Sequence, residues 1–259
     1  MSSRPGVISA SLQGGSALDD WRRALGANPL KVGGVSIHRA IVAYYGNDLG
    51  EHHRYRSWEH CYSYFQRVKP DGLVASRDQA ALQLAFYLAS WGMYRGSSFL
   101  LQYAYTVHRR VIDLVAETRF DDIWKSDFGE SETDAQLIPQ VRQLIAGIRQ
   151  AYEPFVSANK TAQPTDTLIT KIILGTCGCL PACDRYFVDG FKSEGFKYAY
   201  LNDNFVERIL GFCQQHLPEL RKEQVRIEQL GGIRYPLMKL VDMYFWQIGY
   251  EKETEALNA

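Results

Sequence analysis

The sequence predicts an all-α fold, a compact multi-helix domain, and three observations carry that reading. Helix-start residues recur just ahead of apolar-periodic runs, at Ser36, Ser57, Ser76, Thr133 and Thr165. Glycine or proline closes most of those runs, at Gly46, Pro70, Gly92 and Gly175. Apolar residues return every three or four positions, whereas no alternating run lasts long enough for a strand, with Lys197-Tyr-Ala-Tyr-Leu201 a brief extension at most.

Each element follows from its own punctuation. Ser36 opens a helix that stops at Gly46, and Ser57 opens one over 58–68 that ends before Lys69-Pro-Asp-Gly72. Ser76-Arg-Asp-Gln79 reads as a capping box leading into a helix over 80–91. Gly92-Met-Tyr-Arg-Gly-Ser-Ser98 breaks the pattern, and a long helix is expected from Phe99 to about Glu117, with Leu100, Tyr103, Val107, Val111, Leu114 and Val115 on one stripe. Thr133-Asp-Ala-Gln136 predicts a second capping box ahead of a helix over 137–152, its first turn limited by Pro139. Later helices are expected over 204–215, 218–230 and 236–257, the last two with proline in the first turn. Residues 1–16, rich in Ser and Gly, are expected to fray, leaving 17–259 as a single helical domain.

Composition excludes whole classes of function. The 259 residues are 46% hydrophobic and 22% charged, with 29 basic and 29 acidic side chains. This is too apolar and too nearly neutral for a disordered chain or for a binder held by global charge. The neutrality is uneven, however. Residues 51–110 carry eight Lys or Arg against four acids, and residues 111–166 five against ten. A local basic face built on Arg54, Arg56, Arg95, Arg109 and Arg110 is therefore the place for DNA or another anionic partner. Five cysteines and no apolar leader predict a cytoplasmic protein without a disulfide framework, and no run is long enough for a membrane span. A protein partner also fits this composition, and nothing in the sequence signals a cofactor, since Walker, dinucleotide-binding and His-Glu-x-x-His motifs are all absent.

The most informative stretch runs from Thr165 to Phe187. Thr165 or Asp166 caps a short apolar helix bearing Lys171, a Gly/Cys turn ends it, and Pro-Ala-Cys-Asp184 delivers a carboxylate just before the next element. Here the chain resembles the helix–hairpin–helix superfamily of DNA base-excision glycosylases, in which a helix carries a lysine and a Pro-Val-Asp turn presents the essential carboxylate. Leu84 to Ser98 is similar to that family's helix–turn–helix beside the substrate pocket, and the resemblance spans about residues 80–200. The hairpin signature itself is absent, with Gln163-Pro-Thr-Asp-Thr in its place. The Arg-Gly-Ser-Ser and Pro-Ala-x-Asp-Arg-Tyr-Phe pattern also resembles a bacterial all-helical family without an assigned activity.

The resemblance implies a set of roles. Asp184 would stabilise positive charge on the sugar or activate water, and Lys171 would act as a nucleophile. Trp91, Tyr94 and Tyr186 would stack a flipped base, while Arg95, Arg185, Ser97 and Ser98 would line the pocket and hold phosphates. Against these roles stands the plain alternative that Asp184 N-caps the helix starting at Arg185 in a non-catalytic interaction protein. A third reading is a metal-dependent enzyme using Cys177, Cys179 and Cys183 with Cys213 and His216, although the spacing matches no zinc knuckle. His52, His53, Glu59 and His60 form a further polar group at a helix entry.

Overall fold

A computed structural model describes residues 35–46, 52–69, 72–156, 163–230 and 233–258. The fraying expected for residues 1–16 lies outside these. The described residues are all-helical, with eleven α-helices, four short 3-10 segments and no strand among them. In order they are α1 (Ile37–Gly46), α2 (Arg56–Val68), α3 (Arg77–Ser90), α4 (Arg109–Ala116), α5 (Asp121–Lys125) and α6 (Ile138–Val156). There follow α7 (Asp166–Gly175), α8 (Arg185–Ser193), α9 (Asp203–Gln215), α10 (Leu217–Gln229) and α11 (Leu237–Asn258).

Several start signals act as read. Ser36 Oγ accepts from Arg39 N, Thr165 Oγ1 from Leu168 N and Asp184 Oδ1 from Phe187 N. Each satisfies an amide that the first helical turn leaves without a partner. Others move. Ser57 lies inside α2, its hydroxyl donating to Arg54 O, and Ser76 precedes α3 without a side-chain cap. The capping box sits at Ser131 and Asp134 rather than at Thr133, and opens a 3-10 turn ahead of α6. α9, α10 and α11 each start one residue from the expected position, and α10 and α11 also end one residue away.

The long helix expected over 99–117 is not formed. Two 3-10 turns, Phe99–Gln102 and Tyr105–His108, precede α4, separated by extended backbone at Tyr103 and Ala104. The 3-10 period of three keeps apolar residues on one side almost as the α period does, so the stripe continues through a broken backbone. The segment around Lys197–Leu201 is a turn tied to the start of α7, where the Asp166 carboxylate accepts from Tyr198 OH and Leu201 N.

α11 is the axis of the core. From Leu237 to Gly249 every residue is buried, and exposure begins only at Tyr250. A helix apolar on all sides can be stable only when other elements surround it. α8 approaches it most closely, because Gly190 and Gly249 face each other. A Cβ on Gly190 would fall 1.9 Å from Phe245 O, and one on Gly249 would fall 2.0 Å from Tyr186 O. Beside this contact Phe187, Phe191, Phe196, Phe205, Phe212 and Phe245 pack ring against ring, with centroids 4.5–6.2 Å apart. Complete burial of each ring contributes about 1.5–3 kcal/mol. This cluster holds α8 on α11, and α8 begins at Asp184.

Candidate functional site

The site is built where α7, the turn before α8, and α11 meet. From Leu168 onward α7 is buried on all sides, yet it carries Lys171, whose side chain is 3% exposed. The chain after Gly175 runs through a non-helical buried stretch to Asp184. Three hydrogen bonds lace that stretch in place. Thr167 Oγ1 donates to Cys183 O at 2.8 Å, Cys183 N donates to Thr170 Oγ1 at 2.8 Å, and Ala182 N donates to Asp242 Oδ1 at 3.0 Å. Asp184 is thereby set opposite Lys171, whose Nζ donates to its Oδ2 at 3.0 Å. Its other oxygen caps α8, and the side chain keeps 19% exposure.

A second buried pair stands beside the first. Lys239 Nζ lies 2.7 Å from Asp242 Oδ2 and 3.1 Å from Tyr44 OH, and both charged side chains are at most 5% exposed. Burial pushes the Asp242 carboxyl above the usual carboxylate range, against the pull of Lys239. Four charges thus sum to zero in a region of low dielectric.

Aromatic rings cover both cations. Lys171 Nζ sits 4.7 Å from the centre of the Trp91 ring, and Lys239 Nζ sits 4.9, 5.1 and 5.6 Å from Tyr44, Trp58 and Trp91. Trp91 is one end of three stacked rings, with Tyr55 upon it at 4.9 Å and the buried Tyr44 upon Tyr55 at 5.3 Å. Its indole Nε1 is buried without a hydrogen-bond partner. Trp58, Tyr87, Trp91 and Trp246 close around the two ion pairs and leave no space wide enough for a water molecule.

Of the residues singled out from the sequence, Lys171, Asp184 and Trp91 come together here. The others lie elsewhere. Tyr94 donates or accepts at His108 Nε2, 2.7 Å away, and Ser98 caps the 3-10 turn that follows it. Arg95 and Ser97 are exposed, with the Arg95 guanidinium folded back over Gly92. Arg185 pairs with Glu253 at 2.6 Å and covers the ring of Tyr186, which meets Trp246 edge-on at 5.0 Å and so stands one ring away from the site. On the expected basic face, Arg56 pairs with Glu59 and Arg109 with Asp78, while Arg54 and Arg110 lie over Tyr55 and Phe155. Two of the five arginines are thus paired with local carboxylates.

Lys239 and Asp242 were not anticipated. Their signal is present in Leu237-Met-Lys-Leu-Val-Asp-Met-Tyr-Phe245, where two opposite charges three apart interrupt an otherwise apolar run. In the helix entry, Glu59 is buried and bonded to Tyr235 OH and Arg56, whereas His60 is exposed. Among the described residues, no three His, Cys, Asp or Glu side chains, the cysteines after α7 included, converge in a set that could hold a metal ion. No helix among them is long and apolar enough to cross a membrane. Comparison with family models, with curated proteins and with solved structures finds no match for this chain.

His108 bridges Tyr94 OH and Tyr152 OH, the latter at 2.5 Å from Nδ1. Burial pushes its titration down to about 3. The unfolded chain therefore takes up this proton near the ordinary histidine range, and the folded chain does not. Stability is full above about pH 6.5 and falls as the pH drops toward 3, by at most about 1.4 kcal/mol per pH unit. Urea midpoints between pH 6.5 and 5 should fall for the wild type and stay flatter for His108→Gln. Equal slopes for the two proteins would remove His108 as the cause.

Proposed function

We propose that the chain is an enzyme of the base-excision glycosylase type, cleaving the N-glycosidic bond of a modified or damaged base turned out of DNA. The observation that carries this reading is the Lys171–Asp184 pair at 3.0 Å, buried on the lysine side and open on the carboxylate side, beneath the face of Trp91. Breaking an N-glycosidic bond leaves positive charge on the sugar. A carboxylate held at a helix N-terminus, with one edge toward solvent, is suited to stabilise that charge or to orient water. Lys171 fixes the carboxylate and keeps a proton within 3.0 Å of it. Trp91 and Tyr55 supply a stacking platform, and its use requires these rings to part, because the space beneath them is closed.

The test is base release from duplexes carrying a panel of damaged or modified bases, read by mass spectrometry and by strand cleavage after alkali. The wild type is expected to release at least one of these bases. Asp184→Asn should lower the rate about 100-fold or more, as removal of an electrostatic stabiliser does. Borohydride should trap a protein–DNA adduct only if Lys171 also attacks the sugar, and Lys171→Met should abolish that adduct.

The second reading is a non-catalytic helical interaction protein. It is favoured by the full pairing of all four charges and by a space too narrow for water. Under it, no base is released from any duplex, and Asp184→Asn lowers only the stability of the fold.

A further inference from the structure

α7 ends in a turn that places two thiols together. Cys177 and Cys179 flank Gly178, whose φ of +73° reverses the chain, and their sulfurs lie 3.5 Å apart. Only glycine fits between them. A Cβ at position 178 would fall 2.9 Å from both Pro236 Cγ and Tyr62 Cε2. Both thiols are free and buried. They are not equivalent, however. Cys177 forms part of the wall of a cavity of about 150 Å³, separate from the Lys171–Asp184 site and bounded also by Tyr62, Trp124, Lys125 and Arg234. Cys179, 1% exposed, is absent from that wall.

We propose that Cys177-Gly178-Cys179 is a redox-active dithiol that reduces a small hydroperoxide entering this cavity and closes to a disulfide. The cavity has room for a molecule a few atoms long, and of the two cysteines only Cys177 lines it. In the first step the Cys177 sulfur attacks the distal oxygen of the hydroperoxide. The O–O bond breaks, Cys177 becomes a sulfenic acid, and the alkoxide leaves as the alcohol with the proton Cys177 has lost. In the second step the Cys179 sulfur attacks the Cys177 sulfur. The S–O bond breaks, and hydroxide leaves as water with the Cys179 proton. Two thiols are oxidised by two electrons, and one hydroperoxide is reduced to one alcohol and one water.

The contact between the two sulfurs draws one thiol of the pair down while burial pushes the other up, so the pair differs from an ordinary buried thiol, and the cavity wall distinguishes Cys177 from Cys179. Burial is the sole cause that pushes up the thiol of Cys61 and the largest cause that pushes up those of Cys183 and Cys213. The sulfurs must close from 3.5 Å to a bond of about 2.05 Å. The inference stands independently of the glycosylase reading.

The experiment exposes the reduced full chain to a few equivalents of hydrogen peroxide. Remaining thiols are then alkylated with N-ethylmaleimide in denaturant, and the tryptic peptide running from Ile172 to Arg185 is weighed. It holds Cys177, Cys179 and Cys183. The expected peptide is two hydrogens lighter and carries one alkyl group, on Cys183, and Cys61 and Cys213 each remain alkylated. Cys179→Ser should accumulate a dimedone adduct on Cys177. Cys177→Ser should give neither a disulfide nor an adduct on Cys179. The proposal is overturned if the wild-type peptide takes up three alkyl groups after peroxide, or if Cys61 or Cys213 oxidises as fast. It is overturned equally if Cys179 forms the adduct when Cys177 is serine. The wild-type pattern decides the matter even where a serine variant fails to fold.

Discussion

Alanine at position 190 is expected to lower the stability of the fold by about 3 kcal/mol or more, the upper range for overpacking a core. The added methyl group would need to occupy space 1.9 Å from Phe245 O and 3.0 Å from Gly249 N, both of them backbone atoms of a buried helix. No rotamer change relieves a clash between two main chains, so α8 and α11 must separate. The intrinsic preference of alanine over glycine in a helix, about 1 kcal/mol, acts in the opposite direction and is outweighed. Gly147→Ala is the matching control. There the nearest atoms are the ends of the Leu114 side chain, which can turn away, and the change should fall within about 1 kcal/mol. Chemical denaturation midpoints measure both. A Gly190→Ala protein as stable as the wild type would mean that α8 and α11 are not in backbone contact. Since α8 starts at Asp184, separation would also draw that carboxylate from Lys171.

Lys239→Met should cost about 3–5 kcal/mol, the range for leaving one member of a buried ion pair without its partner. Asp242 would remain 5% exposed at its side chain, with Ala182 N its sole remaining hydrogen bond among those seen here. The carboxyl, already raised by burial, would rise further once the ammonium is gone. A folded-state value above the unfolded one means that the penalty is largest at neutral pH and shrinks as the pH falls toward the raised value. Adding Asp242→Asn to Lys239→Met should recover a large part of the loss, because no buried charge is then left unpaired and the amide oxygen can still accept from Ala182 N. If the double variant is as unstable as the sum of the single ones, the two side chains are not coupled, and the quartet of charges is not a unit.

How much of this was legible depends on the range of the interactions involved. The cap at Thr165, the helix bearing Lys171, the Gly/Cys turn and the cap at Asp184 are all set within four residues of chain, and each was readable. The break at Tyr103 and Ala104 was not, because apolar spacing alone does not separate an α-helix from successive 3-10 turns. The resemblance implies that Tyr94 stacks a flipped base, and its hydroxyl is bonded to His108, fourteen residues on, which no local signal indicates. Lys239 and Asp242 left a readable trace as paired charges in an apolar helix. What the trace could not say is which ring or which second pair they would meet.

The all-helical class and the caps that frame Lys171 and Asp184 were therefore determined by sequence alone, since hydrogen bonds between near neighbours and a period of 3.6 need no knowledge of the rest of the chain. Only the tertiary structure decided that Tyr44, Tyr55, Trp58, Trp91 and Trp246, drawn from four helices and the segments that flank them, would close over two ion pairs. It alone brought Asp242 to Ala182 across 60 residues and set Gly190 against the backbone of α11. Such contacts arise from burying apolar surface around α11, and burial is a property of the whole packed set of helices rather than of any one of them.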